Sequence, residues 1–145
     1  MAALTLHELT NVTNHRSRLT LDRLPGAYAI CRFAAGDTLP AWVMQGEFFS
    51  VTRTPAELSA VCAFAAVPSG VKAEGPWSAL AVRGPLDFSL KGVLAGLATP
   101  LAAAEISIFV ISTYDTDYLL VRSHDLDRAV RALRDAGHTI PVEPD

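Results

Sequence analysis

Two short apolar runs, Ile106 to Ile111 and Tyr118 to Val121, enclose a polar stretch from Ser112 to Asp117. Runs of this length, rich in Ile, Val and aromatic residues and split by turn chemistry, predict two paired, buried strands. The polar stretch then lies at a sheet end, where backbone amides and short polar side chains can meet a ligand. It is the first candidate for a functional site, although it holds no obvious catalytic machinery.

The rest of the chain falls into place around this hairpin. Leu80 to Arg83 predicts a strand ended by Gly84-Pro85. Asp87 or Ser89 can cap a helix whose apolar positions Leu90, Val93, Leu94, Leu97 and Leu101 recur at helical spacing. Pro100 should break or kink that helix, because it lacks the amide that would bond to Gly96. Ser123 can cap a second helix, with Leu126, Val130 and Leu133 on one face. Gly137 is placed to stop it, and Thr139 to Val142 can return as an edge strand. The order β-α-β-β-α-β is a ferredoxin-like unit.

Residues 19–73 repeat that order in reduced form. Ala27 to Phe33, Phe48 to Thr52 and Leu58 to Cys62 are strand candidates, with a short helical turn near Trp42. Glu57 to Val61 aligns with Asp117 to Val121 at an offset of 60, and Ile30 to Arg32 with Ala81 to Arg83 at 51. The predicted fold is α+β, with two tandem ferredoxin-like modules, 19–73 and 74–145, the first having a shortened first helix. Residues 1–18 form an N-terminal extension.

Composition excludes several classes. With a net charge of −3 and no Lys/Arg run, the chain lacks the clustered positive charge that nucleic acid requires. Gly92 to Ala104, the longest nearly uncharged stretch, is too short to cross a bilayer, and no signal peptide is expected at the start. A cytoplasmic location is the resulting expectation. Cys31 and Cys62 sit in apolar runs and read as small buried hydrophobes. The four histidines are scattered, so no metal site is expected, and no cofactor is called for. His124 and His138 are expected to be solvated, Trp42 and Trp77 to anchor a core or interface, and Arg128, Arg131 and Arg134 to line a solvated helix face.

Gly84 to Leu90 followed by Gly92-Val93-Leu94, and Ile106-Ser107-Ile108 through Ser112-Thr113-Tyr114-Asp115-Thr116-Asp117-Tyr118, resemble the ACT-domain proteins of the bacterial tandem type. Leu24 to Arg32 and Phe48 to Thr54 are similar to the first module of the same proteins, whose eukaryotic relatives are the CASTOR arginine sensors. Where that family usually has Gly before Ile106, this chain has Glu105, which must avoid or tolerate a positive φ. The resemblance implies a non-catalytic, regulatory protein that binds an amino acid or similar small effector at a module or subunit interface, with a homodimer as a further expectation.

An amino acid needs both charges matched. Its carboxylate suits backbone N–H groups leading into a helix start, here Ser89, Leu90, Gly92 and Val93, in the loop that Asp87 begins. Gly92 would admit close backbone approach. The ammonium suits Asp117, where the resemblance puts a ligand-binding acid, with Asp115 second. Thr113, Tyr114 and Thr116 can add backbone and hydroxyl contacts, and Phe49 to Thr52 of the first module would wall the site. Three readings stay open beside it: a plain hairpin turn at Asp115-Thr116, an interaction module with a vestigial pocket, and a small enzyme using Asp115 and Asp117.

Overall fold

The computed structural model describes residues 18–87 and 91–142. Ser89, Leu90 and the extension up to residue 17 therefore lie outside the described residues. The two apolar runs form β6 (Ile108–Ser112) and β7 (Asp117–Arg122), paired antiparallel from Ile108 opposite Val121 to Ser112 opposite Asp117. An equivalent hairpin joins β3 (Ser50–Arg53) to β4 (Leu58–Ala63). Both turns close alike: Thr54 N–H donates to Glu57 O and Thr113 N–H to Thr116 O, each at 2.8 Å. In each, the first threonine hydroxyl also accepts from the amide three residues on.

The structural offset between hairpins is thus 59 residues, as Thr54 to Thr113 shows, and not 60. Likewise Tyr28, opposite Ala63, corresponds to Trp77, opposite Arg122, an offset of 49 and not 51. A one-residue slip swaps the two faces of a strand, and short identity matches do not constrain it; turn closure does.

One sheet contains all of these strands together with β1 (Leu21–Arg23), β2 (Tyr28–Phe33) and β5 (Ala73–Val82). Its order is β3-β4-β2-β5-β7-β6, with β1 also beside β5. β5 serves both halves, its Trp77 lying between Tyr28 of β2 and Arg122 of β7. In the first half the order β3-β4-β2-β5 is ferredoxin-like; in the second, β6-β7-β5-β1 has the same arrangement. The fold is α+β, with two ferredoxin-like units sharing a strand.

The fourth strand of the second unit comes from β1 rather than from 139–142. That C-terminal stretch makes only an isolated bridge, Thr139 with Thr20, outside β1. Pro141 has no amide to extend the ladder. The first half has no α-helix among the described residues: 3-10 turns at Ala41–Met44 and Phe64–Ala66 stand in for both. The short first helix was expected; the second is reduced as well.

Two true helices, α1 (Val93–Ala103) and α2 (Leu126–Asp135), cover one face of the second unit. Leu97, Leu101, Val130 and Leu133 pack there on Leu80, Val82, Leu119 and Val121, with Leu19 and Leu21 joining them. α1 begins at Val93, with Gly92 as N-cap in the left-handed region (φ 77°), so Asp87 does not cap it. It also runs through Pro100 without ending. Ser123 does not cap α2: its hydroxyl shares a hydrogen bond with Ser78 (2.9 Å), and the N-cap is Asp125. His138 is buried instead of solvated. Arg128 and Arg134 do more than face solvent, donating to the carbonyls of Ala104 and Ile140, each at 2.6 Å.

On its other face the sheet folds towards itself. Val61 of β4, Trp77 of β5 and Leu120 of β7 share a cluster with Phe48, Phe109 and Tyr118. The Phe48 ring lies 4.6 Å from that of Tyr118 and 5.4 Å from that of Tyr28. A third cluster, under the 3-10 turns, holds the free thiols Cys31 and Cys62, their Sγ atoms 4.0 Å apart.

Candidate functional site

The turn Thr113–Thr116 is tied to the connection between β5 and α1. Thr116 Oγ1 donates to Val82 O (2.6 Å), and Leu86 N–H donates to Asp115 O (2.7 Å). Gly84 makes this approach possible: a Cβ there would lie 2.9 Å from Asp115 O and 3.1 Å from Thr116 Cβ. Between turn and connection lies an open hollow of about 230 Å³.

Of the residues expected at the site, Asp87, Val93, Thr113, Tyr114, Asp115, Thr116 and Asp117 line this hollow, joined by Leu86 and Ser112. Gly92 does not line it. Its left-handed φ is what the chain needs immediately before α1. Phe49 does not wall it either. Ser50 to Thr52 instead border a separate slot of about 350 Å³ opposite Phe109 to Ser112, which meets the hollow only at Ser112.

Asp117 Oδ1 accepts from Ser112 Oγ at 2.6 Å. This contact follows from the cross-strand pairing of the two residues, so the hairpin register would have revealed Ser112 as a site residue. Among the described residues neither Asp115 nor Asp117 makes an ion pair. The threonines are more committed: Thr113 Oγ1 donates to Thr116 O (3.1 Å), and Thr116 Oγ1 is used on Val82. What they retain for a ligand is acceptor capacity. The hollow is therefore acidic, with Asp115 and Asp117 on the turn side and Asp87 on the connection side, where Val93 begins α1.

The first half treats the corresponding space differently. Arg53 holds the position equivalent to Ser112, the last residue before its turn. Its guanidinium donates to Asp37 O (2.7 Å) and to Ala35 O, in the connection that follows β2. There, the chain fills the space with its own cation.

Beside the site, Asp22 accepts both guanidinium contacts of Arg83 (2.7 and 2.8 Å). That hydrogen bonding holds the Asp22 carboxyl below its usual range. No group of three or more His, Cys, Asp or Glu suited to a metal exists among the described residues. No helix among them is long and apolar enough to cross a membrane.

Residues 72–135 match the model of the ACT domain, and an N-terminal domain model matches residues 26–70. The chain contains an ACT domain. Over 98 residues it is 30% identical to the cytosolic arginine sensor for mTORC1 subunit 1 of Bos taurus, a match covering 60% of this chain and 30% of that protein. This ACT-domain chain thus spans about a third of that relative's length. A crystal structure of an Agrobacterium tumefaciens protein is 40% identical, with a TM-score of 0.84, covering 89% of this chain and 96% of that one. The regulatory subunit of aspartate kinase from Thermus thermophilus shares the fold: TM-score 0.55 at 16% identity, over 77% of this chain and 93% of that one.

Proposed function

We propose that this ACT-domain protein is a non-catalytic sensor that binds an amino acid or similar small zwitterion in the hollow between the start of α1 and the turn Thr113–Thr116. The observation that supports this reading is the lining itself: Asp115 and Asp117, which make no ion pair among the described residues, lie across the hollow from Val93 at the start of α1. An ammonium or basic group suits the two aspartates and a carboxylate the helix start. The self-filled space around Arg53 supports it, since the same kind of position in this chain accepts a cation. The bovine relative, named as an arginine sensor, points the same way.

A thermal-shift screen of the twenty amino acids tests the reading, because a ligand bound to the folded state alone raises stability. At least one should raise Tm. Asp117→Asn should then weaken it roughly tenfold to a hundredfold, the effect of losing a charge-assisted bond of about 1.5–3 kcal/mol. No shift with any amino acid sinks the proposal. So does unchanged affinity in the folded variant. Gly92→Val is a poor test, since the strain at its positive φ would weaken the helix start regardless of ligand.

A second reading, a self-association module, draws on the edges of the sheet. Among the described residues β3 and β6 each pair on one side only, and open edges invite a partner strand. A homodimer seen by light scattering without any amino-acid shift would favour it. In either case we divide the chain into modules at 19–73 and 74–145, a division supported by the matching turn closures.

A further inference from the structure

A second cavity, of about 470 Å³, lies in the first half and shares no lining residue with the hollow. Its origin is a mismatch in the ladder. β1 and β2 run along the same edge of β5, but between Arg23 opposite Leu80 and Tyr28 opposite Trp77 the four residues Leu24–Ala27 face only two on β5. The extra residues bulge outward. The loop after the first 3-10 turn, Gln45 to Phe48, and the passage from the end of β4 into the second 3-10 turn, Ala63 to Ala65, complete the walls. Among the described residues no α-helix covers this half to close the space.

The volume falls within the range of small-molecule sites, and so does the lining, mostly apolar with few polar groups. Tyr28, Phe48 and Phe64 present three aromatic rings, and Phe64 is 45% exposed. Glu47 is the one charged side chain in the lining, and among the described residues no cation pairs with it. The Tyr28 hydroxyl donates to Pro25 O (3.3 Å), which leaves its oxygen free to accept.

We infer that this cavity is a second ligand site, taking a small aromatic molecule that carries one protonated amine. The ring packs on Tyr28, Phe48 and Phe64, in the offset or edge-on arrangements aromatic pairs prefer. The ammonium lies at the rim, against Glu47, where a charge-assisted bond is available and the ring faces add cation–π attraction.

The test uses three probes with the same ring: 2-phenylethylamine, ethylbenzene and 3-phenylpropionate, titrated by calorimetry into the full chain. The amine should bind most tightly and the carboxylate least. Glu47→Gln should weaken the amine about tenfold, to the level of ethylbenzene. Ala65→Trp, at an exposed position on the wall, should remove binding of both without lowering Tm. The assignment is overturned if none of the probes binds at millimolar concentration, or if the carboxylate or ethylbenzene binds as well as the amine. Amine binding that survives both substitutions also overturns it. Loss of amine binding in Asp117→Asn would move the probe to the other hollow and overturn it equally.

Discussion

His138 Nε2 lies 2.9 Å from the carbonyl oxygen of Gly96, the carbonyl that Pro100 leaves without its helical amide. The other ring nitrogen, Nδ1, accepts the Leu19 amide at 3.2 Å. These two bonds assign the neutral ring with its proton on Nε2. One side chain just past α2 thus repairs α1 and ties down the strand entering the sheet, and it explains why Pro100 does not end the helix.

Removing that ring strands two buried backbone groups. His138→Ala should therefore cost about 2–4 kcal/mol, more than a typical surface change. Pro100→Ala returns an amide to Gly96, so in that background the same substitution should cost about 1 kcal/mol less. Urea unfolding of the four proteins measures the difference, and an additive cycle would refute the link.

Glu105 has φ 59° where α1 ends, with Ile106 N–H reaching back to Leu101 O (3.0 Å). A residue with a Cβ is strained there by about 1–2 kcal/mol. Glu105→Gly should recover part of this, about 1 kcal/mol, despite the added freedom of the unfolded chain. A higher urea midpoint at unchanged slope is the expected sign.

Gly84→Ala would force its Cβ against Asp115 O and Thr116 Cβ. The turn must then move away from the connection to α1, at a cost of about 1–3 kcal/mol. The hollow should distort with it, so an amino acid found by thermal shift should bind more weakly in the variant. Retained affinity at reduced stability would separate the turn from the site.

Burial pushes the Cys62 thiol up to about 12, and Cys31 also upward. In the unfolded chain the same thiols lose their protons from about pH 9, so above that pH the unfolded state binds fewer protons than the folded one. Stability should therefore fall as pH rises beyond about 9, and between about pH 9 and 10 this slope should shrink in Cys31→Ala/Cys62→Ala; burial also pushes the Tyr28 hydroxyl up, which adds a slope of its own at higher pH. At pH 8 both thiols should react with Ellman's reagent only at the rate of unfolding.

Local chemistry made much of this molecule legible in its sequence. The hairpin around Thr113–Thr116 is closed by its own residues, Gly137 (φ 101°) ends α2 as its position implies, and Leu97, Leu101 and Leu133 lie inside because helical spacing puts them on one face. Asp87, Val93, Thr113 and Asp117 could be grouped because a β-α connection and a hairpin turn meet at the same end of a ferredoxin-like sheet. What depended on pairing between distant segments was not legible. β1 and not Thr139 to Val142 lies beside β5, His138 is buried against Gly96 and Leu19, and Arg53 fills in one half the space that Ser112 leaves open in the other. Each of these is decided by which partner wins a place in the sheet or a free carbonyl. That competition is settled only when the whole sheet assembles.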